Sequence, residues 1–206
     1  DDALREQIIS AAVRLAEGVS YDNLGTFEFL VDDSAVPPTF AFIEVNARLQ
    51  VEHTVTEEVT GVDIVQAQLR LAGGNSLDDL GLQQDAVPEP RGFAIQTRIN
   101  METMQADGAT RPSGGTLTAF EAPLGPGIRT DTFGYAGYLT SPRFDSLLAK
   151  VIVHSPSANF SDALGRADRA LREFRIEGVA TNLPFMQALL AHPDVQQQRL
   201  YTRFVD

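Results

Sequence analysis

A chain of 206 residues can form one large domain or two small ones, and 43% hydrophobic with 21% charged residues is the balance of a globular protein. A net charge of −12 argues against nucleic acid and anionic membrane surfaces, both of which select basic faces. The absence of cysteine rules out disulfides and thiolate metal sites. No apolar run reaches transmembrane length and no signal peptide is visible, so a cytoplasmic protein is expected.

In chain order, Leu4, Ile8, Ala12 and Leu15 recur at helical spacing, which predicts an amphipathic helix over 3–16 that stops at Gly18. Two β-like runs, TFEFLV (26–31) and TFAFIEVN (39–46), flank the turn-rich DDSAVPP and predict a hairpin. A second helix is expected over roughly 62–72, with Val62, Val65, Leu69 and Ala72 on one face and Gly73-Gly74 ending it. The acidic, turn-rich stretch 74–92 is the candidate boundary between residues 1–85 and residues 86–206.

Beyond it, strands are expected at 93–100, 115–122, 127–132 and 147–154. A helix capped by Ser161 follows, with Leu164, Ala167, Leu171 and Phe174 inward, and Asn182 with Pro184 opens the last helix. Helices set apart from a run of strands predict an α+β fold. The first methionine is Met101, so we read residue 1 as lying inside a longer protein. Lys150 is the only lysine; if the protein uses ATP, the ammonium groups that hold phosphates are expected before Asp1.

The most informative segment is FIEVNARLQVEH, 42–53. From Glu44 it alternates: Glu44, Asn46, Arg48, Gln50 and Glu52 on one face, Val45, Ala47, Leu49 and Val51 on the other. A half-solvated antiparallel strand produces the same alternation. Three features favour a site. Phe40, Phe42 and Ile43 are expected to bury the start of the ladder. Glu28 should lie across the hairpin from residue 43 or 44, where like charges repel unless a cation joins them. The ladder also mixes both charge signs with two amides. Mg²⁺ takes one or two carboxylates, and Asn46 offers a carbonyl oxygen. Arg48 presents a fork for bicarbonate or phosphate, or else bridges to Glu44 or Glu52. Glu52 is a candidate general base, and His53 reads as a residue backing the site's ligands or as a structural one, rather than as a metal ligand.

The run FIEVNARLQVEHTVTEEVTGVDIVQAQLRLA resembles the biotin carboxylase signature, and GTFEFL belongs to the same pattern. AIQTRIN, RPSGGTL, GIRTDT, GYAGY, RFDSLLAKVIVH and EGVATN resemble that family's C-terminal domain in the same order. The tetrad QVEH separates it from carbamoyl-phosphate synthetases, which share E-x-N-x-R alone. The words VEHTVTEE and FRIEGVATN lean toward the pyruvate carboxylase side. The segment after RIN reads METMQADGATRPSGG and departs from the family pattern by lacking the acidic residue usually found shortly after RIN-A-E.

The resemblance implies the end of an ATP-grasp domain followed by a biotin carboxylase C-terminal domain with a mixed or antiparallel sheet. It implies ATP- and bicarbonate-dependent carboxylation of biotin through carboxyphosphate. Glu28, Glu44 and Asn46 would hold two Mg²⁺ or Mn²⁺ ions; Arg48, Gln50 and the Val51 backbone would cradle bicarbonate. Glu52 would be the base, Arg98 would stabilise the biotin enolate, and Ile176 would flank the adenine. Implied partners are a biotin carboxyl carrier domain, a carboxyltransferase domain and a second copy of the protein, with Arg129 and Asp145 as contributors to pairing. Other readings are a different ATP-grasp ligase, or a non-catalytic dimerisation or docking module.

Overall fold

A computed structural model describes residues 2–105 and 107–205. The chain divides into two compact units, Asp1–His53 with Val62–Val87, and Thr54–Gly61 with Pro88–Asp206.

The first unit holds helix α1 (Asp2–Gly18), the hairpin β1 (Thr26–Asp32) and β2 (Thr39–Asn46), a 3-10 turn over Val51–His53, and helix α3 (Ile64–Ala72). Asp63 caps α3 by accepting from the Gln66 amide, so the helix begins two residues later than the apolar spacing alone suggests. Helix α2 (Thr54–Thr60) belongs to the second unit.

Strand β2 ends at Asn46, and the Arg48 amide turns back to the Asn46 carbonyl at 2.8 Å. The extended ladder expected from Glu44 to Glu52 is therefore broken after its second rung. Alternation continues in the sequence while the backbone bends and then coils. The expected burial at the start of the ladder is also absent: Phe42 is 48% and Ile43 55% exposed. Strands β1 and β2 form a two-stranded sheet of their own among the described residues. The stripe of α1 buries no residue, and Leu69 on α3 is exposed. Among the described residues, every buried side chain lies in the second unit.

That unit is built on an antiparallel sheet in the order β3 (Phe93–Asn100), β8 (Leu147–Ser155), β7 (Ile128–Thr132). Short antiparallel pairs join β4 (Glu102–Met104) to β5 (Thr110–Pro112) and β6 (Ala119–Glu121) to β9 (Arg175–Glu177). Helices α4 (Phe160–Glu173), α5 (Leu183–Ala191) and α6 (Pro193–Gln196) complete an α+β fold. The strand expected over 115–122 shrinks to β6, with Thr116 making an isolated bridge to Leu139.

Leu164, Ala167, Leu171 and Phe174 of the α4 segment pack on Ile99, Ala149, Val151 and Val153, as the helical spacing predicts. Asn159, not Ser161, occupies the N-cap of α4, and Ser161 lies inside its first turn. Helix α5 is not the last, because α6 follows it. Gly178 has φ +94°, and a Cβ there would run into the Thr116 carbonyl oxygen, so only glycine lets the segment after β9 pass this close. No helix of the described residues is long and apolar enough to cross a membrane.

Candidate functional site

The hairpin register brings the two expected carboxylates together. From the turn, Phe29 pairs with Phe42, yet Glu28 pairs with Glu44, because a bulge at Ile43 absorbs one residue. Cross-strand partners share a face, so Phe29 and Phe42 lie on one side while Glu28 and Glu44 lie on the other. Phe29 stacks edge-on to Phe40 and Phe42, each at 5.7 Å between centroids, which holds the aromatic side in place.

Asn46 Nδ2 donates to Glu28 Oε1 at 2.9 Å and to Glu44 Oε1 at 3.0 Å, so one amide bridges both acids. Gln50 returns to the same place despite the broken strand, with Nε2 donating to Glu28 Oε1 at 3.0 Å. Its Oε1 is buried and accepts no hydrogen bond among the described residues. Two carboxylates with a neighbouring amide form the donor set of a hard divalent cation. A cation there would meet Asn46 through its oxygen after a half-turn of the amide. Among the described residues no group of three or more His, Asp or Glu side chains gathers as a metal cluster.

Arg48 is exposed in the bend, with Nη1 donating to the Leu49 carbonyl at 3.2 Å. Val51 and Glu52 lie in the 3-10 turn, which the His53 ring tethers to β1 through Thr26 Oγ1 at 2.9 Å. His53 is thus placed as a structural residue here.

In the second unit, Arg98 lies on β3 with its side chain exposed, directly opposite Lys150 on β8. Lys150 in turn faces Asp131 on β7, and Nζ reaches Asp131 Oδ2 at 3.2 Å. Arg129 grips Asp131 with two bonds, Nε to Oδ1 at 2.8 Å and Nη2 to Oδ2 at 3.0 Å, and Glu57 of α2 with a third at 2.7 Å. Thr54, at the start of α2, bonds Gln96 of β3. One face of the sheet is thus a charged belt carrying α2, while the other carries the core.

The Arg129 guanidinium is held well above its ordinary range, first by its bonds to Asp131 and then by Glu57. Burial pushes the Asp131 carboxyl up, but Arg129 and Lys150 together outweigh it and leave it below the usual value.

Ile176 is half-buried on β9 opposite Phe120 and packs against both core clusters. Asp145 accepts from the Leu147 amide at 2.8 Å, and Arg129 makes its ion pairs to Asp131 and Glu57. Sequence reading missed the Arg129 clamp, although Arg129 and Asp131 at i, i+2 on one strand face was a readable signal. It also missed a second role for Asn182, whose side chain leaves its helix to bond β3.

Residues 1–80 match the carbamoyl-phosphate synthase L chain ATP-binding domain, and residues 96–206 match the biotin carboxylase C-terminal domain. The chain is 47% identical to pyruvate carboxylase 1 of Caenorhabditis elegans, over 100% of this chain and 17% of that protein. Among solved structures, the biotin carboxylase domain of a single-chain bacterial carboxylase superposes with TM-score 0.89 at 50% identity, covering 100% of this chain and 46% of that chain. The biotin carboxylase domain dimer of Hydrogenobacter thermophilus 2-oxoglutarate carboxylase, in complex with MgADP, ADP and bicarbonate, gives TM-score 0.89 at 36% identity, covering 100% and 43%. The chain therefore spans about a sixth of its curated relative and less than half of the isolated domains. A domain match over more than half of the chain, on a fold shared with these structures, places the chain in the biotin carboxylase family.

Proposed function

We propose that this chain supplies part of the active site of a biotin-dependent carboxylase, which carboxylates biotin at the expense of ATP and bicarbonate. The observation that carries the reading is the convergence of Glu28, Glu44, Asn46 and Gln50 on one face of the hairpin. Glu28, Glu44 and Asn46 would hold two Mg²⁺ or Mn²⁺ ions, which when bound neutralise phosphate charge during transfer. Relatives bound to MgADP and bicarbonate support this choice of ligands.

Bicarbonate is a poor nucleophile and must be oriented and deprotonated. Arg48 offers it a planar fork, and Gln50 and the Val51 backbone, beside that fork in sequence, complete the cradle. Glu52 takes the proton as oxygen attacks the γ-phosphate, giving carboxyphosphate and ADP. Carboxyphosphate breaks to CO₂ and phosphate, and phosphate removes the ureido proton of biotin. Charge then develops on the ureido oxygen, where a fixed guanidinium, Arg98, is worth most. Ile176 is assigned to the adenine side.

We place the division between an ATP-grasp portion (1–85) and a biotin carboxylase C-terminal portion (86–206), which the separate family matches at 1–80 and 96–206 support. As partners we propose a carrier domain bearing biotin, a carboxyltransferase and a second copy of the protein; a multi-domain acyl-CoA carboxylase and a biotin carboxylase domain dimer among the similar structures support this. Absence of cysteine agrees with a reducing, cytoplasmic setting.

The test is Arg98→Ala in the carboxylase polypeptide that carries this chain. Biotin carboxylation should fall by about 10²-fold or more, the scale of losing one oxyanion donor. Unchanged carboxylation would remove Arg98 from the chemistry.

A further inference from the structure

We propose that Asn182 is a positioning residue for Arg98, acting through the open edge of β3; this rests on the reading of Arg98 given above. Strand β3 is the outer strand of its sheet, with β8 on one side only. Along its other edge a strand leaves unpaired backbone groups at every second residue. Asn182 answers those groups at the place where Arg98 sits. Its side-chain Nδ2 donates to the Arg98 carbonyl at 3.1 Å, and its Oδ1 accepts from the Asn100 amide at 2.9 Å. Its own backbone amide donates to the Asn100 carbonyl at 3.0 Å. One residue thus imitates a neighbouring strand over Arg98–Asn100.

Two facts separate this from ordinary capping. Asn182 occupies the N-cap of α5, where asparagine normally turns its oxygen to the helix amides, yet it makes no side-chain cap bond there. The helix forgoes that stabilisation so that the amide can hold β3. The side chain is also 4% exposed, so water cannot substitute for either bond.

The place being held is one the sheet itself leaves loose. Register between β3 and β8 shifts between Ile99 and Asn100, immediately beside Arg98. Arg98 sits directly opposite Lys150 across the sheet. The clamp holds the strand at this shift and fixes the backbone from which the guanidinium projects.

The experiment uses the carboxylase polypeptide that carries this chain and reads two activities. One is bicarbonate-dependent ATP hydrolysis without biotin, which does not need Arg98; the other is carboxylation of free biotin. Asn182→Asp keeps the size and the acceptor for Asn100 but sets a carboxylate oxygen against the Arg98 carbonyl. Asn182→Gln keeps the amide and displaces it by one methylene. In whichever variant folds, biotin carboxylation should drop roughly 10- to 100-fold, the cost of a misplacement near 1 Å, while hydrolysis stays within about twofold.

Equal losses in both activities, or no loss in either, overturn the inference. So does misfolding of both variants, which would make Asn182 a folding residue. Arg98→Ala is the control. If it spares biotin carboxylation, the role of Arg98 is wrong; if it abolishes carboxylation while the Asn182 variants do not, only the positioning role is wrong.

Discussion

Glu28 and Glu44 face each other across the hairpin, and a single amide, that of Asn46, donates to both at about 3 Å. Two like charges in register cost stability unless something positive joins them. The bulge at Ile43 creates this arrangement, because uninterrupted pairing from the turn would set Ile43 against Glu28. In the carboxylase polypeptide, Glu44→Gln should raise the Mg²⁺ concentration needed for half-maximal ATP hydrolysis by about tenfold or more, since the proposed site would lose one of its two carboxylates. A magnesium titration checks this, and an unchanged midpoint would disconnect the pair from the metal.

Arg129 ties α2 to the sheet through Glu57 and Asp131. Its side chain is 38% exposed, so solvent screening limits the pair energies. Arg129→Ala should destabilise the second unit by roughly 1–2 kcal/mol, toward the low end for bonds between charged groups. Urea unfolding of the isolated chain reads it.

Asp131 gives the same network a pH dependence. Burial raises its carboxyl, but Arg129 and Lys150 lower it further, so the folded value lies below the unfolded one. A depressed carboxyl contributes its full stability above the unfolded value, near pH 4, and loses it as pH falls through the folded value. Wild-type stability should therefore drop below about pH 4 more steeply than that of Asp131→Asn. Parallel curves in acid unfolding would contradict the assignment.

The two units differ in how they are held. Leu171 is fully buried, and Leu171→Ala should cost about 2–5 kcal/mol. The first unit has no buried residue among those described. Amides of β1 and β2 in the isolated chain should exchange with deuterium orders of magnitude faster than those of β3 and β8. For the same reason calorimetry of the isolated chain with Mg-ATP should show little or no binding. Micromolar affinity would mean that the chain alone holds far more of the site.

Periodicity located the elements whose partners are in the chain: β3, β8 and α4 came out within a residue or so because the sheet and helix bury one another. It misjudged Phe42, Ile43 and Leu69, whose apolar pattern is real but whose side chains stay exposed. The strand 39–46 came out as expected, but the alternation over 44–52 reads as extended backbone throughout, since it does not distinguish that from a bend followed by a 3-10 turn. Glu28 opposite Glu44 was legible to within one residue, and only the bulge decided it. The Asn182 clamp was not legible, because asparagine before a proline-containing helix start already had an ordinary local explanation.

The most direct measurement is ATP hydrolysis by the carboxylase polypeptide with and without bicarbonate, in wild type and Arg48→Ala. The account predicts hydrolysis that depends on bicarbonate and is largely lost in the variant. Hydrolysis at full rate without bicarbonate, or indifferent to Arg48, would contradict it.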